Sequence, residues 1–187
     1  MKVIDVIYQR RAVRSYTEQE VDHATIVELL KAAVQAPSAI NQQPWAFGVI
    51  QNRELLAEYS ERAKRYALTT LATHPQADHL RAILARPDFD IFYHAPALII
   101  ICAKPAVEMT PEEDCSLAAQ NLMLAATEMG LATCPIGFAR MWLNLAEVKK
   151  ELGIPADYKP VFPVIVGYQK DPAPPVERQK PEIIFWK

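Results

Sequence analysis

Ala36-Pro-Ser-Ala-Ile-Asn-Gln-Gln-Pro-Trp45 is the most distinctive stretch of this 187-residue chain, because it holds four polar side chains between two prolines. Apolar residues at helical spacing predict a helix over 22–36 before it, and Pro37 ends that helix. The residues from Phe47 to Ile50 follow and predict a buried strand. Short polar side chains on a rigid loop can bind the polar edge of a heteroaromatic ring. The simpler interpretation is an ordinary connection made of turn-forming residues.

Helices and strands alternate on both sides of this loop. Helical spacing and continuous apolar runs predict helices over 2–9, 53–71 and 143–152, and strands over 97–102 and 161–168. A further helix begins at Pro111, with Thr110 as its N-cap and Glu113 completing a capping box, and it ends at Gly130. This mixed order favours an α+β or a three-layer α/β arrangement over a βαβ repeat.

Composition restricts the class of protein. A formal net charge of −2, from 20 basic and 22 acidic residues, argues against a nucleic-acid-binding protein. The amino terminus lacks the apolar core of a signal peptide, and no run of eighteen apolar residues occurs. Cys102, Cys115 and Cys134 are too far apart for a CxxC motif. We therefore expect a cytoplasmic protein that binds neither nucleic acid nor membrane.

The residues Arg10, Arg11 and Arg14 form the first candidate binding site. The chain has only five glycines and no GxGxxG or P-loop motif, so side chains would have to hold the phosphate of any bound nucleotide. A continued first helix would place Arg10 and Arg14 on one face, where like charges repel unless an anion lies between them. Guanidinium groups suit a phosphate. The alternative is a solvated basic helix end that the helix dipole favours.

Two other groups of residues carry weaker signals. His74 and His79 flank Asp78, but their spacing does not suit a shared metal ion, so we expect no metal site. Cys134 is either a redox-active thiol or, as is more common, a buried free thiol.

Several segments together resemble the nitroreductase family. Arg10-Arg-Ala-Val-Arg-Ser-Tyr16 resembles its amino-terminal flavin-phosphate motif, and residues 37–47 resemble its PS-x-x-N-x-Q-P-W-x-F segment. The stretch from Asp114 to Gly137 is similar to the family's central helix and the loop after it. Pro163-Val-Ile-Val-Gly167 and Arg178-x-Lys180 complete the family order, so the resemblance covers nearly the whole chain.

The resemblance implies a fold and an assembly. The expected fold is an α+β, three-layer α/β/α sandwich whose mostly antiparallel sheet is flanked by helices. One domain would comprise residues 1–187, and its proline-rich end, 169–187, would be an extended tail that contacts the partner subunit. The protein would be an intertwined homodimer with an FMN site at each subunit interface.

The resemblance also implies which residues bind FMN. Basic residues would hold the phosphate and ribityl end, namely Arg10, Arg11, Arg14, Arg178 and Lys180. Residues of the 36–45 loop would approach the same flavin from the other subunit, namely Pro37, Ser38, Ala39 and Asn41, with Gln43 in support and Trp45 in the core. Pro135, Ile136 and Gly137 would lie along the ring, where a backbone N–H could donate to flavin N5. Ala12 stands where the family often has serine, so one hydroxyl contact is missing.

The activity implied is hydride transfer from NADH or NADPH through the flavin to a nitroaromatic, a quinone or a related electrophile, without a protein nucleophile. Tyr66, Phe89, Phe92 and Tyr93 would either pack or cover the open face of the flavin. Family relatives with other flavin chemistry, dehalogenation or flavin breakdown, are an alternative. A protein that only binds or senses FMN, or a dimeric anion-binding module, would use the same arginines.

Overall fold

The computed structural model describes residues 2–72, 77–106 and 111–187. The helices before the last third of the chain are α1 (Val3–Gln9), α2 (His23–Ala33), α3 (Arg53–Leu71), α4 (Asp78–Leu84) and α5 (Pro111–Glu128). Two short helices follow, α6 (Gly137–Leu143) and α7 (Ala146–Leu152). The strands are β1 (Trp45–Ile50), β2 (Ala97–Ala103), β3 (Ala132–Pro135) and β4 (Lys159–Gly167), and a single 3-10 turn covers Ala39–Asn41.

The four strands form one antiparallel sheet in the order β1-β2-β4-β3. Strand β2 is buried along its whole length because helices cover both faces of the sheet. Leu98 and Ile100 lie in the core on one face, whereas Ile99 and Ile101 lie in the core on the other. This alternation explains the continuous apolar run in the sequence. The expected α+β, three-layer sandwich is confirmed.

The chain after α1 runs along the β3 edge of this sheet. Val13 N donates to Thr133 O at 3.0 Å, and Ala12 and Thr133 form a parallel bridge. Further on, Thr17 N donates to Tyr168 O at 2.9 Å. The arginine-rich segment is therefore attached to the sheet edge between β3 and the residues that follow β4.

Gly167, at the end of β4, allows a close approach of three segments. A Cβ at this position would lie 2.5 Å from Cδ of Pro96 and 2.9 Å from a ring carbon of Tyr16. Only a residue without a side chain fits between that proline and that ring.

The boundaries of several elements differ from those predicted. The helix predicted over 143–152 is wrong at its start, because Leu143 ends α6 and Ala146 begins α7. Asn144 separates the two helices, since its side-chain amide donates to the carbonyls of Arg140 at 2.7 Å and Pro160 at 2.8 Å. Helix α2 ends at Ala33 rather than residue 36. The strand β3 and the helices α4 and α6 were not predicted.

The α5 helix begins and ends close to the predicted residues. Pro111 begins the helix as predicted, and Gly130 lies just beyond its end with φ of +75°. The capping residue Thr110 lies outside the described residues, as does His74 of the dismissed metal cluster.

Residues 171–187 form no helix or strand and leave large apolar side chains exposed. Ile184, Phe185 and Trp186 are 89, 71 and 88% exposed. No helix within the described parts of the chain has the length and apolar character needed to cross a membrane.

Candidate functional site

The arginine segment leaves the helix at its first member. Helix α1 ends at Gln9, and Arg10 is its C-cap with φ of −54° and ψ of 131°, so the helix does not continue to Arg14. The following residues are extended and attached to the sheet edge, which places alternate side chains on opposite sides. Arg10 and Arg14 therefore share a side through strand-like alternation instead of helical stacking, and Arg11 points to the other side.

Arg14 lies in a pocket with the residues that follow β3. The pocket has a volume of about 200 Å³ and is lined by Arg14, Ile91, Tyr93 and residues 134–138. It brings one predicted phosphate ligand together with all three residues predicted to lie along a flavin ring, Pro135, Ile136 and Gly137.

The wall formed by residues 135–137 is fixed to the sheet. Pro135 pairs with Val164 in the sheet, and Ile136 N donates to Pro163 O at 2.9 Å. Gly137 begins α6, and a Cβ at this position would have no atom within 4 Å. The pocket thus has open space where any other residue would place a side chain.

The positive charge in and beside this pocket has no acidic partner in the described parts of the chain. Arg10, Arg11 and Arg14 form no ion pair with any described residue. Arg14 makes one long hydrogen bond, 3.4 Å from Nη1 to Ala12 O. Arg11 donates to Tyr8 O at 2.6 Å and Arg10 O at 2.9 Å, and it lines a separate cavity with Thr127 and Leu131. Uncompensated guanidinium groups of this kind favour an anionic ligand.

The loop 38–43 is held in an unusual backbone conformation. Ile40, Asn41 and Gln43 have φ values of +43°, +55° and +49°, which side-chain-bearing residues rarely adopt. Ser38 Oγ accepts from Gln43 N at 3.0 Å, and the buried carboxylate of Asp114 accepts from Ala39 N at 3.3 Å. Conformations of this kind persist where surrounding contacts enforce them, and they are concentrated at functional sites.

Within one subunit this loop lies far from the arginine segment. Asp114, which anchors the loop, is in the first turn of α5, whereas Thr127, beside Arg11, is in its last turn. Thirteen residues of helix separate them, a distance of about 20 Å at about 1.5 Å per residue. One subunit therefore does not bring Pro37, Ser38, Ala39 and Asn41 to the Arg14 pocket.

The tail is attached near the arginine segment but does not carry its own basic residues to it. Ser15 Oγ donates to the Asp171 carboxylate at 2.6 Å, and Lys170 N donates to Ser15 O at 3.0 Å. Arg178 and Lys180 are exposed and make no hydrogen bond or ion pair with any described residue of the Arg14 pocket. Their assignment to a phosphate stays a prediction.

The aromatic residues divide between core and pocket. Phe92 is 1% exposed and belongs to the core, and Trp45 is buried as predicted. Tyr93 lines the pocket, with its ring centroid 5.6 Å from that of Phe89. The sequence left open whether Tyr93 packs in the core or covers the flavin. It did not indicate Ile91, which lies in an irregular segment, or Phe138, which lies in the helix α6 that was not predicted. Burial raises the pKa of the Cys134 thiol, which favours an inert buried thiol.

Comparisons with known proteins identify the family of the chain. Residues 7–168 match the model of the nitroreductase family. An Archaeoglobus fulgidus protein with the provisional name NADH dehydrogenase/NAD(P)H nitroreductase is 32% identical over 172 residues, 90% of this chain and 86% of the relative. An iodotyrosine deiodinase of Thermotoga neapolitana is 26% identical over 186 residues, which are 96% of this chain and 96% of the relative. The crystal structure of a Bacteroides fragilis nitroreductase with bound FMN superimposes with a TM-score of 0.79 at 29% identity, over 98% of this chain and 96% of that one. This chain belongs to the nitroreductase family.

Proposed function

We propose that this protein binds FMN and is an oxidoreductase that takes a hydride from NADH or NADPH and delivers it to a nitroaromatic, a quinone or a related electrophile. The observation that carries the proposal is the Arg14 pocket, which places an unpaired guanidinium beside the rigid wall at 135–137. FMN in the Bacteroides relative and the NAD(P)H in the name of the Archaeoglobus relative support the cofactor and the donor.

The residues present suit FMN. Arg14 and Arg10 supply the positive charge that a phosphate and an anionic reduced ring require, and no described carboxylate forms an ion pair with either residue. Arg11 lies on the other side of the segment, so its part in binding FMN stays a prediction. The open space beside Gly137 allows a flat ring to approach the backbone closely. The missing hydroxyl at Ala12 does not alter this charge.

The start of α6 supplies the free backbone donors of the pocket wall. Pro135 has no N–H, and the N–H of Ile136 is already bonded to Pro163 O. Gly137 and Phe138 begin α6 and line the pocket, and the N–H groups of a helix's first turn have no carbonyl partner in the helix. We therefore assign the hydrogen bond to flavin N5 to one of these two N–H groups. FMN supplies the hydride transfer when bound, and the chain orients it and compensates its charge.

The complete site requires a second copy of the chain. A pocket of about 200 Å³ is smaller than the about 300–1,000 Å³ of typical ligand sites. Because α5 lies between them, the strained loop 38–43 is about 20 Å from the arginine segment of its own subunit. The loop is therefore free to contact the flavin bound by the partner subunit. The homodimer thus contains two sites at its interface.

Exposed apolar surfaces supply the contact for this dimer. Val3, Ile4 and Ile7 of α1 are 72, 50 and 46% exposed. Beside them, a groove of about 310 Å³ runs between α1 and α5. Adjacent exposed apolar side chains of this kind mark interaction sites. The tail 169–187, with its exposed apolar end, crosses to the partner and brings Arg178 and Lys180 to the phosphate.

A spectrum of the purified protein tests the cofactor and the reaction. We expect stoichiometric FMN binding, with flavin absorbance that is bleached anaerobically by NADH or NADPH and restored by a nitroaromatic or a quinone. Protein that takes up no FMN contradicts the proposal. Bound FMN that neither nucleotide reduces favours the protein that only binds or senses flavin, and reoxidation by halogenated aromatics alone favours dehalogenation, the activity in the name of the Thermotoga relative.

Sedimentation tests the shared site. We expect the FMN-loaded protein to be a dimer. Ile7→Glu should shift the protein towards monomer and lower its FMN content, because the substitution places a carboxylate on the exposed apolar face of α1. Leu80→Glu is the matched control, since Leu80 is 38% exposed on α4, outside that face. A stable monomer with full FMN content is incompatible with the shared site.

A further inference from the structure

We infer that Tyr93 is a positioning residue whose ring holds the Arg14 guanidinium inside the pocket. The inference rests on the proposed FMN site and assigns to the chain a residue that acts on the cofactor through Arg14. Three features support it: the strained backbone of residues 89–94, the different cavities that the two sides of this segment line, and the contacts of the Arg14 side chain.

The backbone at Tyr93 is strained and is held by Asp90. Tyr93 and His94 have φ values of +53° and +55°, a conformation in which Cβ crowds the backbone. The Asp90 carboxylate accepts from Phe92 N at 2.7 Å and from His94 N at 3.1 Å, and it lies 3.0 Å from His94 Nδ1. Tyr93 N donates to Asp90 O at 3.0 Å. Two consecutive residues in this region are maintained only where surrounding bonds determine the conformation.

Helix α3 anchors the same segment on the side towards the core. Ser60 Oγ, which is buried, accepts from Ile91 N at 2.9 Å. The Lys64 ammonium donates to Phe89 O at 3.1 Å. Both anchors come from successive turns of one helix, so the segment 89–94 has a fixed position relative to the pocket.

This conformation directs Tyr93 towards Arg14. Ile91 and Tyr93 line the pocket with Arg14, whereas Asp90, Phe92 and His94 line a separate cavity of about 440 Å³ on the other side of the segment. The rings of Tyr93 and Phe89 form a T-shaped pair, with an interplanar angle of 87° and centroids 5.6 Å apart. This packing restricts the Tyr93 ring, which lines the pocket.

Tyr93 is the main side-chain partner of Arg14 inside the pocket. The guanidinium carbon lies 5.9 Å from the Tyr93 ring centroid, within the range of a cation–π interaction. Burial raises the pKa of Tyr93, so the phenol is neutral near pH 7, and its hydroxyl also interacts with the Arg14 guanidinium. The guanidinium makes a further 3.4 Å bond to Ala12 O. Without the ring, an exposed arginine samples many rotamers, and ordering it on FMN costs conformational entropy.

A double-mutant cycle on FMN affinity, measured by flavin fluorescence titration of the full dimer, tests this inference. We expect Tyr93→Leu to weaken FMN binding about three- to thirty-fold, the range of a cation–π contact. Tyr93→Phe keeps the ring and loses only the hydroxyl contact, so it should lose less affinity than Tyr93→Leu. In the Arg14→Ala background, Tyr93→Leu should have an effect below about two-fold, because the residue it positions is gone.

Two further variants keep the test decisive. Tyr93→Asn removes the ring but tolerates positive φ, so it should bind FMN as weakly as Tyr93→Leu even if the leucine variant folds poorly. His94→Leu measures the contribution of the segment's backbone, since it removes the contact of His94 Nδ1 with Asp90, while the His94 side chain is 79% exposed and faces the other cavity. Its FMN affinity should fall less than that of Tyr93→Leu.

The outcomes separate this inference from the proposed function. If Arg14→Ala leaves FMN affinity unchanged, the proposed cofactor site is wrong. If Arg14→Ala weakens binding and Tyr93→Leu has the same effect in both backgrounds, the site stands and the positioning role is overturned. An equal loss in His94→Leu also overturns it, because the effect then comes from the segment's structure.

Discussion

Replacement of Arg14 by alanine will weaken FMN binding about 10- to 100-fold and leave the melting temperature of the flavin-free protein unchanged. A hydrogen bond to a charged group contributes about 1.5–3 kcal/mol, and every 1.4 kcal/mol corresponds to about ten-fold in affinity. The side chain of Arg14 is exposed and has no ion-pair partner among the described residues, so its removal leaves no buried group unsatisfied. Isothermal titration with FMN at low and high salt measures the loss, which should shrink as salt increases.

Arg65→Ala is the control for the change in charge. Arg65 is exposed on α3, and its bond to Glu61 O is as long, at 3.4 Å, as the bond of Arg14 to Ala12 O. FMN affinity should not change in this variant. Equal losses in the two variants would show that net charge alone attracts the cofactor, and Arg14 would then have no specific place in the site.

Riboflavin, which lacks the phosphate, locates the contact of Arg14 on the cofactor. The sequence resemblance assigns Arg14 to the phosphate and ribityl end, yet the pocket places it with Pro135, Ile136 and Gly137, the residues assigned to the ring. A loss confined to FMN indicates the phosphate end, and an equal loss for riboflavin indicates the ring. Gly137→Val tests the facing wall, since the new side chain fills open space in the flavin-free protein and should lower affinity for both flavins.

The periodic parts of the fold could be predicted because local sequence determines them. The apolar run at 97–102 is a buried central strand, and the helix predicted over 53–71 has the bounds of α3. Asn52 and Asp22 cap their helices with side-chain oxygens, as local polar residues do elsewhere. Such elements depend on neighbours a few residues away.

The missed elements depend on distant contacts. Strand β3 has four residues and ends at Pro135, and it exists because β4 pairs with it on one side and Ala12 on the other. The division between α6 and α7 depends on a bond from Asn144 to Pro160, sixteen residues away. The positive φ values at 40, 41, 43, 93 and 94 accompany bonds to Asp114 and Asp90. Nothing in the spacing of apolar residues encodes these bonds.

The candidate site, too, could be predicted only in part. The resemblance grouped Arg14 with residues 135–137, and the structure places them in one pocket. It also grouped Asn41 and Arg178 with them, and neither lines that pocket in one subunit, because the length of α5 and the extended tail separate them. A motif gives the members of a site but not the subunit that contributes each one.

Gly167→Ala will lower the melting temperature by about 2–12 °C, because Gly167 is the glycine whose added Cβ would meet the closest neighbours. The added Cβ would lie 2.5 Å from Cδ and 2.9 Å from Cγ of Pro96, and 2.9 Å from a ring carbon of Tyr16. Pro96 cannot rotate away because its ring is closed onto the backbone, just before β2. Tyr16 is 7% exposed, and its hydroxyl donates to Val13 O at 2.8 Å. The backbone of β4 or of the arginine segment must therefore move.

Overpacking of this kind costs about 1–3 kcal/mol, and each kcal/mol shifts the melting temperature of a domain of this size by about 2–4 °C. Gly48→Ala is the control, because Gly48 also lies in a strand and its added Cβ would meet Ile100 Cβ at an ordinary 3.8 Å. Scanning calorimetry should show Gly48→Ala at or slightly above the parent, since alanine restricts the unfolded chain more than glycine does. FMN affinity should fall in Gly167→Ala as well, because Tyr16 is two residues from Arg14. Equal melting temperatures for the two alanine variants would show that the segment 12–17 is not held against β4 by this contact.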